Sequence, residues 1–138
     1  MSRWMAIDYG LQRIGLAITD PLRIIATPLD TIPTATFYEY FNNYLQNEHV
    51  SRVIVGMPIS LKNKETNLTS HVKLFIEKLI LLYPDIKIEC EDERFTSKIA
   101  YQALSQMGLP KNKKHQKEIL DKMSASLILQ TYMEKNPS

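Results

Sequence analysis

Three acidic signals in this chain stand where carboxylates can do chemistry. Asp8 ends an apolar run, Trp4 to Ile7, and leads into the turn DYGLQR before a second apolar run, Ile14 to Ile18. A second group, EDERF at 91–95, follows the short run IKIEC (86–90) directly. The third is Asp121, in KEILDKMSASLILQTYM, on a helical face shared with Lys117, Ser124, Ala125, Ile128 and Tyr132. Each has an ordinary explanation: a turn aspartate, a solvated acidic stretch, an exposed helical acid. Two strand ends and a helix can nevertheless bring their acids to one point. Carboxylates gathered in that way repel one another, and the usual resolution is a hard divalent cation bound by oxygen ligands. Mg²⁺ (or Mn²⁺) suits such a set, because it keeps several waters and accepts phosphate oxygens. The chemistry this supports is metal-assisted attack of water on a phosphodiester, with two ions roughly 3.5–4 Å apart.

The residues around these acids fit a polyanionic substrate. Gly10 and Gly15 frame the turn after Asp8 and are expected to give tight backbone and close approach for a phosphate. Arg13, in the same turn, is placed to meet a backbone phosphate; the plainer alternative is a surface cation beside Asp20 or Asp8. Arg94 and Thr96 beside the second acidic group suggest a polar site rather than a tail. The stretch PKNKKHQKE (110–118) reads as a basic loop just before Asp121, gathering Lys111, Lys113, Lys114, His115 and Lys117. Such a loop would hold a nucleic-acid backbone with salt-dependent affinity. His115 could assist proton transfer, although a histidine in an exposed loop is more often a bystander.

The elements that must position these residues follow from the apolar pattern. Trp4–Asp8 and Ile14–Thr19 with a short glycine-containing turn signal a hairpin. RIIATPLDTI (23–32) reads as a third strand, and Pro28 within it demands a sheet edge or a bulge. Thr34–Glu48 carries Phe37, Tyr40, Phe41, Tyr44 and Leu45 at helical spacing, with Thr34 or Thr36 as a cap. Ser51–Gly56 is a continuous apolar run typical of a buried parallel strand. Thr66–Tyr83 is a second helix with the stripe Leu68, Val72, Phe75, Ile76, Leu79 and Leu82/Tyr83. Ile86–Cys90 is the fifth strand, Thr96–Met107 a third helix closed by Gly108 and Pro110, and Lys117–Lys135 the last helix. The order β-β-β-α-β-α-β-α-α predicts an α/β fold: a mixed five-stranded sheet, three strands in an antiparallel meander and two parallel, flanked by helices. The first strand should be central, with Asp8 and residues 91–93 at the same sheet edge. Alternation puts Glu91 and Glu93 on one face and Asp92 on the other; one strand alone does not say which face meets Asp8.

The totals bound the function. A chain of 138 residues, 44% hydrophobic and 23% charged, is expected to form one domain over 1–138 with one core. Cys90 is the lone cysteine, which excludes an intrachain disulfide and a CxxC metal site and fits a reducing cytoplasm. No signal-peptide pattern opens the chain, and the longest apolar stretch, LFIEKLILLY, is short and carries Glu77 and Lys78, so no membrane span is expected. The net charge of +2 is unevenly placed: residues 1–97 hold 10 basic and 12 acidic side chains, residues 98–138 hold 7 and 3. That permits a polyanionic partner without demanding one.

Four stretches together, DYGLQRIGLAITD (8–20), VGMPIS (55–60), DERFTS (92–97) and DKMSASLILQTY (121–132), resemble the bacterial YqgF family, whose members are named as pre-16S rRNA nucleases or Holliday junction resolvases. The resemblance spans nearly the whole chain, in order. It implies an RNase H-like fold, in agreement with the strand order above, and it implies Asp8, Glu93 and Asp121 as the catalytic, metal-binding acids, with Asp92 the next neighbour to test. One departure stands out: after VGMP the chain reads ISLKNKETNLTS, with Lys62, Asn63 and Lys64 where the family often has an Asp-Gly turn. The resemblance thus implies a metal-dependent nuclease acting on structured RNA, as in maturation of a ribosomal RNA 5′ end, or on branched DNA, as a monomer or homodimer. Two other classes compete. An actin-like sugar kinase or ATPase also uses a DxG hairpin, but needs two such domains. A nucleic-acid-binding module without catalysis is opposed by the intact acids.

Overall fold

The hairpin that carries Asp8 forms because two β-rich runs are separated by a turn only glycine can close. In the computed structural model, which describes residues 2–57, 67–92 and 113–136, β1 (Arg3–Tyr9) and β2 (Arg13–Thr19) pair antiparallel from Met5↔Ile18 to Tyr9↔Ile14. A side chain at Gly10 would put its Cβ 2.5 Å from the Arg13 carbonyl oxygen. Thr34 clamps the turn from outside: its Oγ1 donates to the Gly10 carbonyl at 2.7 Å and its amide to the Gln12 carbonyl at 3.0 Å.

β3 (Ala26–Pro33) completes the meander at the sheet edge, and its pairing with β2 slips between Leu16↔Asp30 and Ala17↔Pro28. Pro28 therefore sits both on an edge and at a bulge, the two settings that tolerate its missing donor. β4 (Val50–Met57) joins β1 in parallel and β5 (Lys87–Asp92) joins β4 in parallel, giving the order β3-β2-β1-β4-β5. The expected mixed five-stranded sheet with β1 at its centre is what forms.

Each face is covered by the helices whose apolar stripes match it. On one face α1 (Phe37–Asn47) and α2 (Asn67–Leu82) bury Phe37, Phe41, Val72, Phe75 and Leu79 against Met5, Ile7, Ile14, Leu16, Val53 and Val55. On the other, α3 (Lys113–Lys135) packs Ala125, Ile128, Leu129 and Tyr132 onto Trp4, Ala6, Ala17 and Ile54. Among the described residues no helix is long and apolar enough to cross a membrane.

Four boundaries differ from expectation. Residues 34–36 form a 3-10 turn before α1, and the Thr36 hydroxyl donates back to the Pro33 carbonyl instead of capping the helix. β3 starts at Ala26, not Arg23, because Asp20 gathers the amides of Leu22, Ile24 and Ile25 into a closed loop. β5 runs two residues further, to Asp92. The last helix begins at Lys113, not Lys117; Lys, Gln and Glu are good helix formers, and a run of them extends a helix rather than ending one. Lys113, Lys114 and Lys117 thus lie on a helix and not in a basic loop. The helix expected over Thr96–Met107 falls outside the described residues.

Candidate nuclease centre

Register places Asp8 in a row that crosses the whole sheet. Asp8 pairs with Gly15 on β2, and Gly15 with Thr31 on β3. On the other side Ile7 pairs with Val55, so Asp8 and Gly56 are the next residues along, and Gly56 pairs with Glu91 on β5. Side chains alternate along strands, so Asp8 shares its face with Trp4 and Ala6, the face under α3. The row on that face reads Thr31, Gly15, Asp8, Gly56, Glu91.

α3 crosses this row close to the backbone. The Thr31 hydroxyl donates to the Glu118 carbonyl at 2.5 Å. One turn on, Asp121 lies against Gly15: a Cβ built there would stand 2.2 Å from the Asp121 carbonyl oxygen and 2.4 Å from its carbon. Gly15 serves this contact, which corrects the expectation that it makes room for a phosphate. The approach continues through Ser124 and Ala125, buried at 1% and 0% exposure, small enough to let a helix lie low on a sheet. Asp8 and Asp121, 113 positions apart in sequence, therefore flank the same glycine.

Arg13 completes this corner. It sits two residues before Gly15 on the same face, and its Nε donates to Asp121 Oδ2 at 2.9 Å. Its partner is neither Asp20 nor Asp8, the two acids that sequence proximity suggests. The ion pair is a third exposed on the arginine and a quarter on the aspartate, which leaves it open to exchange with solvent ions.

The β5 acids divide as alternation requires. Glu91 faces α3 on the Asp8 row, two strand spacings away, roughly 10 Å between backbones. It is 8% exposed and accepts a hydrogen bond from Lys135 Nζ at 2.5 Å. Glu91 holds the lysine ammonium above its usual range. Asp92 pairs with Met57 and belongs to the opposite face from Asp8. Glu93, Arg94 and Lys111 lie outside the described residues; for Lys113, Lys114 and Lys117 only the backbone is described.

One row toward the strand starts, a polar network fixes the far half of α3. Tyr132 donates to Glu89 and accepts from Arg52 at 2.6 Å, while Lys87 pairs with Glu89 at 2.8 Å. The Arg52 guanidinium lies 4.5 Å from the centre of the Trp4 ring. Hydrogen bonds from Lys87 and Tyr132 hold the Glu89 carboxyl below the usual range. Burial, then the hydrogen bond to Glu89, pushes the Tyr132 phenol up. Sequence reading missed this network, although Glu89 and Arg52 on neighbouring strands were its only available sign.

The donor chemistry suits a hard cation. Asp8 is the strand neighbour of Gly15, the Asp121 backbone lies against the same glycine, and a guanidinium nitrogen already stands on the Asp121 carboxylate as a positive charge. Among the described residues no group of three or more His, Cys, Asp or Glu is gathered, so a third protein ligand would have to come from outside them.

Known proteins resemble this chain in sequence and in fold. A family model described as "RuvX: Holliday junction resolvase" matches residues 2–135. A protein of Phocaeicola vulgatus, named "Putative pre-16S rRNA nuclease", is 43% identical over 134 residues, 97% of this chain and 96% of that one. A protein of Amoebophilus asiaticus with the same name is 44% identical over 133 residues, 96% of this chain and 94% of its own. Among solved structures, Thermus thermophilus RuvC in complex with a Holliday junction superposes with a TM-score of 0.57 at 14% identity, covering 99% of this chain and 97% of that one. A second Thermus thermophilus RuvC structure gives 0.52 at 12% identity, covering 96% and 95%. At that identity the likeness concerns the fold, which is RNase H-like as expected.

Proposed function

This chain belongs to the RuvX (YqgF) family, and from that premise we propose that it is a metal-dependent nuclease of the cytoplasm, one domain over residues 1–138, that trims the 5′ end of precursor 16S rRNA. The names carried by its relatives support the substrate, since several full-length relatives at 38–44% identity are named for pre-16S rRNA. The observation that supports the chemistry is that Asp8 is the strand neighbour of Gly15 while the Asp121 backbone lies against the same glycine. Glu93, which lies outside the described residues, is the third acid by motif.

In this reading Asp8 and Asp121, with Glu93, are the residues that would hold Mg²⁺ or Mn²⁺. When bound, the metal supplies Lewis-acid polarisation of the phosphate and water of lowered pKa, singly or as a pair. The chain's own residues do the rest. Asp8 is fixed by the centre of the sheet, and Asp121 is carried in by a helix locked to β3 at one end and to β4 and β5 at the other. Arg13, paired with Asp121 at 2.9 Å, is the guanidinium that would meet a phosphate oxygen of the substrate, in bidentate geometry. Arg94, Lys111, Lys113, Lys114 and Lys117 steer the backbone of the substrate toward this edge.

A second reading is supported by the family's description: resolution of four-way DNA junctions. That would require a homodimer with two sites related by symmetry. Cleavage of a precursor rRNA 5′ segment and of a four-way junction, side by side in Mg²⁺ and Mn²⁺, separates the two. The primary reading expects rRNA cleavage that disappears in Asp8→Asn. Junction cleavage without rRNA cleavage transfers the assignment to the second, and an Asp8→Asn protein as fast as wild type removes the acids from the chemistry.

A further inference from the structure

Beside the proposed centre, on the face of the sheet opposite α3, lies a groove of about 280 Å³ bordered by Tyr9, Thr34, Tyr38, His71, Leu74 and Lys78. Its floor is aromatic: the Tyr9 and Phe75 rings lie 4.7 Å apart. Its wall is a second phenol, Tyr38, whose face carries the Lys78 ammonium 4.5 Å from the ring centre. His71 and Leu74 are exposed at the rim, Leu74 at 64%. Among the described residues no acid lines it. Half-buried phenols on a groove, edged by a cation and an imidazole, match a planar π-system joined to phosphate.

The groove is also joined to the catalytic edge. Tyr9 follows Asp8 directly, so the two side chains leave adjacent backbone positions on opposite faces. Thr34, on the groove's border, makes the two hydrogen bonds that hold the turn after them. A strand whose phosphate lies at Asp8 reaches the groove by passing over the end of β1.

We infer that this groove takes an unpaired nucleobase next to the scissile phosphate, stacking it on Tyr9 and Tyr38, with the Lys78 ammonium leaving the Tyr38 ring to meet, together with His71, the flanking phosphates. The inference rests on the nuclease reading for the strand's path, and it narrows the substrate class: cleavage falls beside a single-stranded or extruded nucleotide and not within a continuous duplex. The base chemistry is common to RNA and DNA.

Binding is tested with metal chelated, so that no cleavage intervenes. The probes are a short single-stranded RNA and the same sequence in DNA, each with one 2-aminopurine, and matched strands with an abasic site in its place. The wild-type chain should quench 2-aminopurine and bind the base-bearing strand about tenfold more tightly than the abasic one, the discrimination of one stacked base. Tyr38→Leu should abolish both the quenching and the preference, Tyr38→Trp should restore them, and Lys78→Ala, at an exposed position, should weaken binding without touching the core. Quenching in either arm supports the groove, and the tighter arm identifies the nucleic acid. Equal affinity for base-bearing and abasic strands, or a folded Tyr38→Leu protein that quenches as wild type does, overturns it. The nuclease reading fails differently: a chain that quenches and discriminates as stated, yet cleaves neither rRNA nor junction in Mg²⁺ or Mn²⁺, loses its activity assignment and keeps its groove.

Discussion

Replacing Gly15 with alanine asks whether the low approach of α3 sets the chemistry. Gly15 has no left-handed backbone, so alanine meets no conformational strain and the substitution acts by volume alone. Its Cβ would stand 2.2 Å from the Asp121 carbonyl oxygen and 3.0 Å from the Lys122 nitrogen. These are backbone atoms of a helix, which cannot rotate away as a side chain would. Ordinary contact begins near 3.4 Å, so α3 must retreat by about 1.2 Å at this point or the strand must give by the same amount. Inserting a methyl into such a contact costs about 1–3 kcal/mol. The same retreat carries Asp121 away from Asp8, and a misplacement of about 1 Å in a catalytic constellation costs on the order of a hundredfold in rate.

Urea unfolding gives the first quantity, and initial cleavage rates in saturating Mg²⁺, at a temperature where both proteins are folded, give the second. Gly15→Ala should be less stable by that amount and slower by roughly two orders of magnitude. A variant that is destabilised but cleaves at the wild-type rate would show that helix height does not set the position of Asp121. A variant neither destabilised nor slowed would show that the contact relaxes freely, and the account of Gly15 given above would be wrong.

Asp8→Asn and Asp121→Asn should each lower cleavage by on the order of a thousandfold, several kcal/mol of lost charge stabilisation, and weaken Mn²⁺ binding by calorimetry; unchanged Mn²⁺ binding in both would remove them from the metal site. Arg13→Gln should bind Mn²⁺ more tightly than wild type in the absence of substrate, because Asp121 no longer has a competing cation, while cleavage falls; looser Mn²⁺ binding would contradict the exchange. Tyr132→Phe removes the hydroxyl that joins Arg52 to Glu89 and should cost about 1–3 kcal/mol in urea unfolding, with no loss if the network contributes nothing. Asp20 accepts amides from Leu22, Ile24 and Ile25, and these bonds, that of Ile25 foremost, hold its carboxyl below the ordinary value of 3.8. A folded pKa below the unfolded one contributes stability above 3.8 that is lost as pH falls through the folded value; the amide resonances of Ile24 and Ile25 should therefore shift together only in that lower range, and not at all in Asp20→Asn.

Much of this layout is legible in the sequence, for reasons that separate what is local from what is not. The hairpin, the edge position of Pro28 and the central place of β1 follow from turn residues, a missing donor, and a hairpin partner on one side with a crossover strand on the other. The helix faces of α2 and α3 follow from periodicity: Val72, Phe75 and Leu79 are buried as spaced, and so are Ser124, Ala125 and Ile128. What escaped depends on contacts across the chain. Arg13 has Asp8 and Asp20 within reach of sequence, yet its partner is 108 residues away. Gly15 looks like space for a ligand until α3 is laid over it. The early start of α3 at Lys113 was hidden by charge, because a cluster of lysines reads as a solvated loop although lysine is a good helix former.

The row through Asp8 explains how a carboxylate survives at the centre of a sheet beneath a helix. One step toward the strand starts, the parallel row on the same face is Pro28, Ala17, Ala6, Ile54 and Glu89, and its small and apolar middle is sealed by Ala125, Ile128 and Leu129. A carboxylate set at Ala6, in the sealed middle of that row, would lose its water without gaining a partner, at a cost of several kcal/mol. In the row of Asp8 both strand neighbours are glycines. Gly15 lets the helix backbone down on one side, and so brings in a second carboxylate together with Arg13; Gly56 puts no side chain between Asp8 and Glu91 on the other. The boundary between core and site is thus a single residue step along β1, from Ala6 to Asp8. It is made by removing side chains on either side of the acid, at Gly15 and Gly56, rather than by adding polar ones.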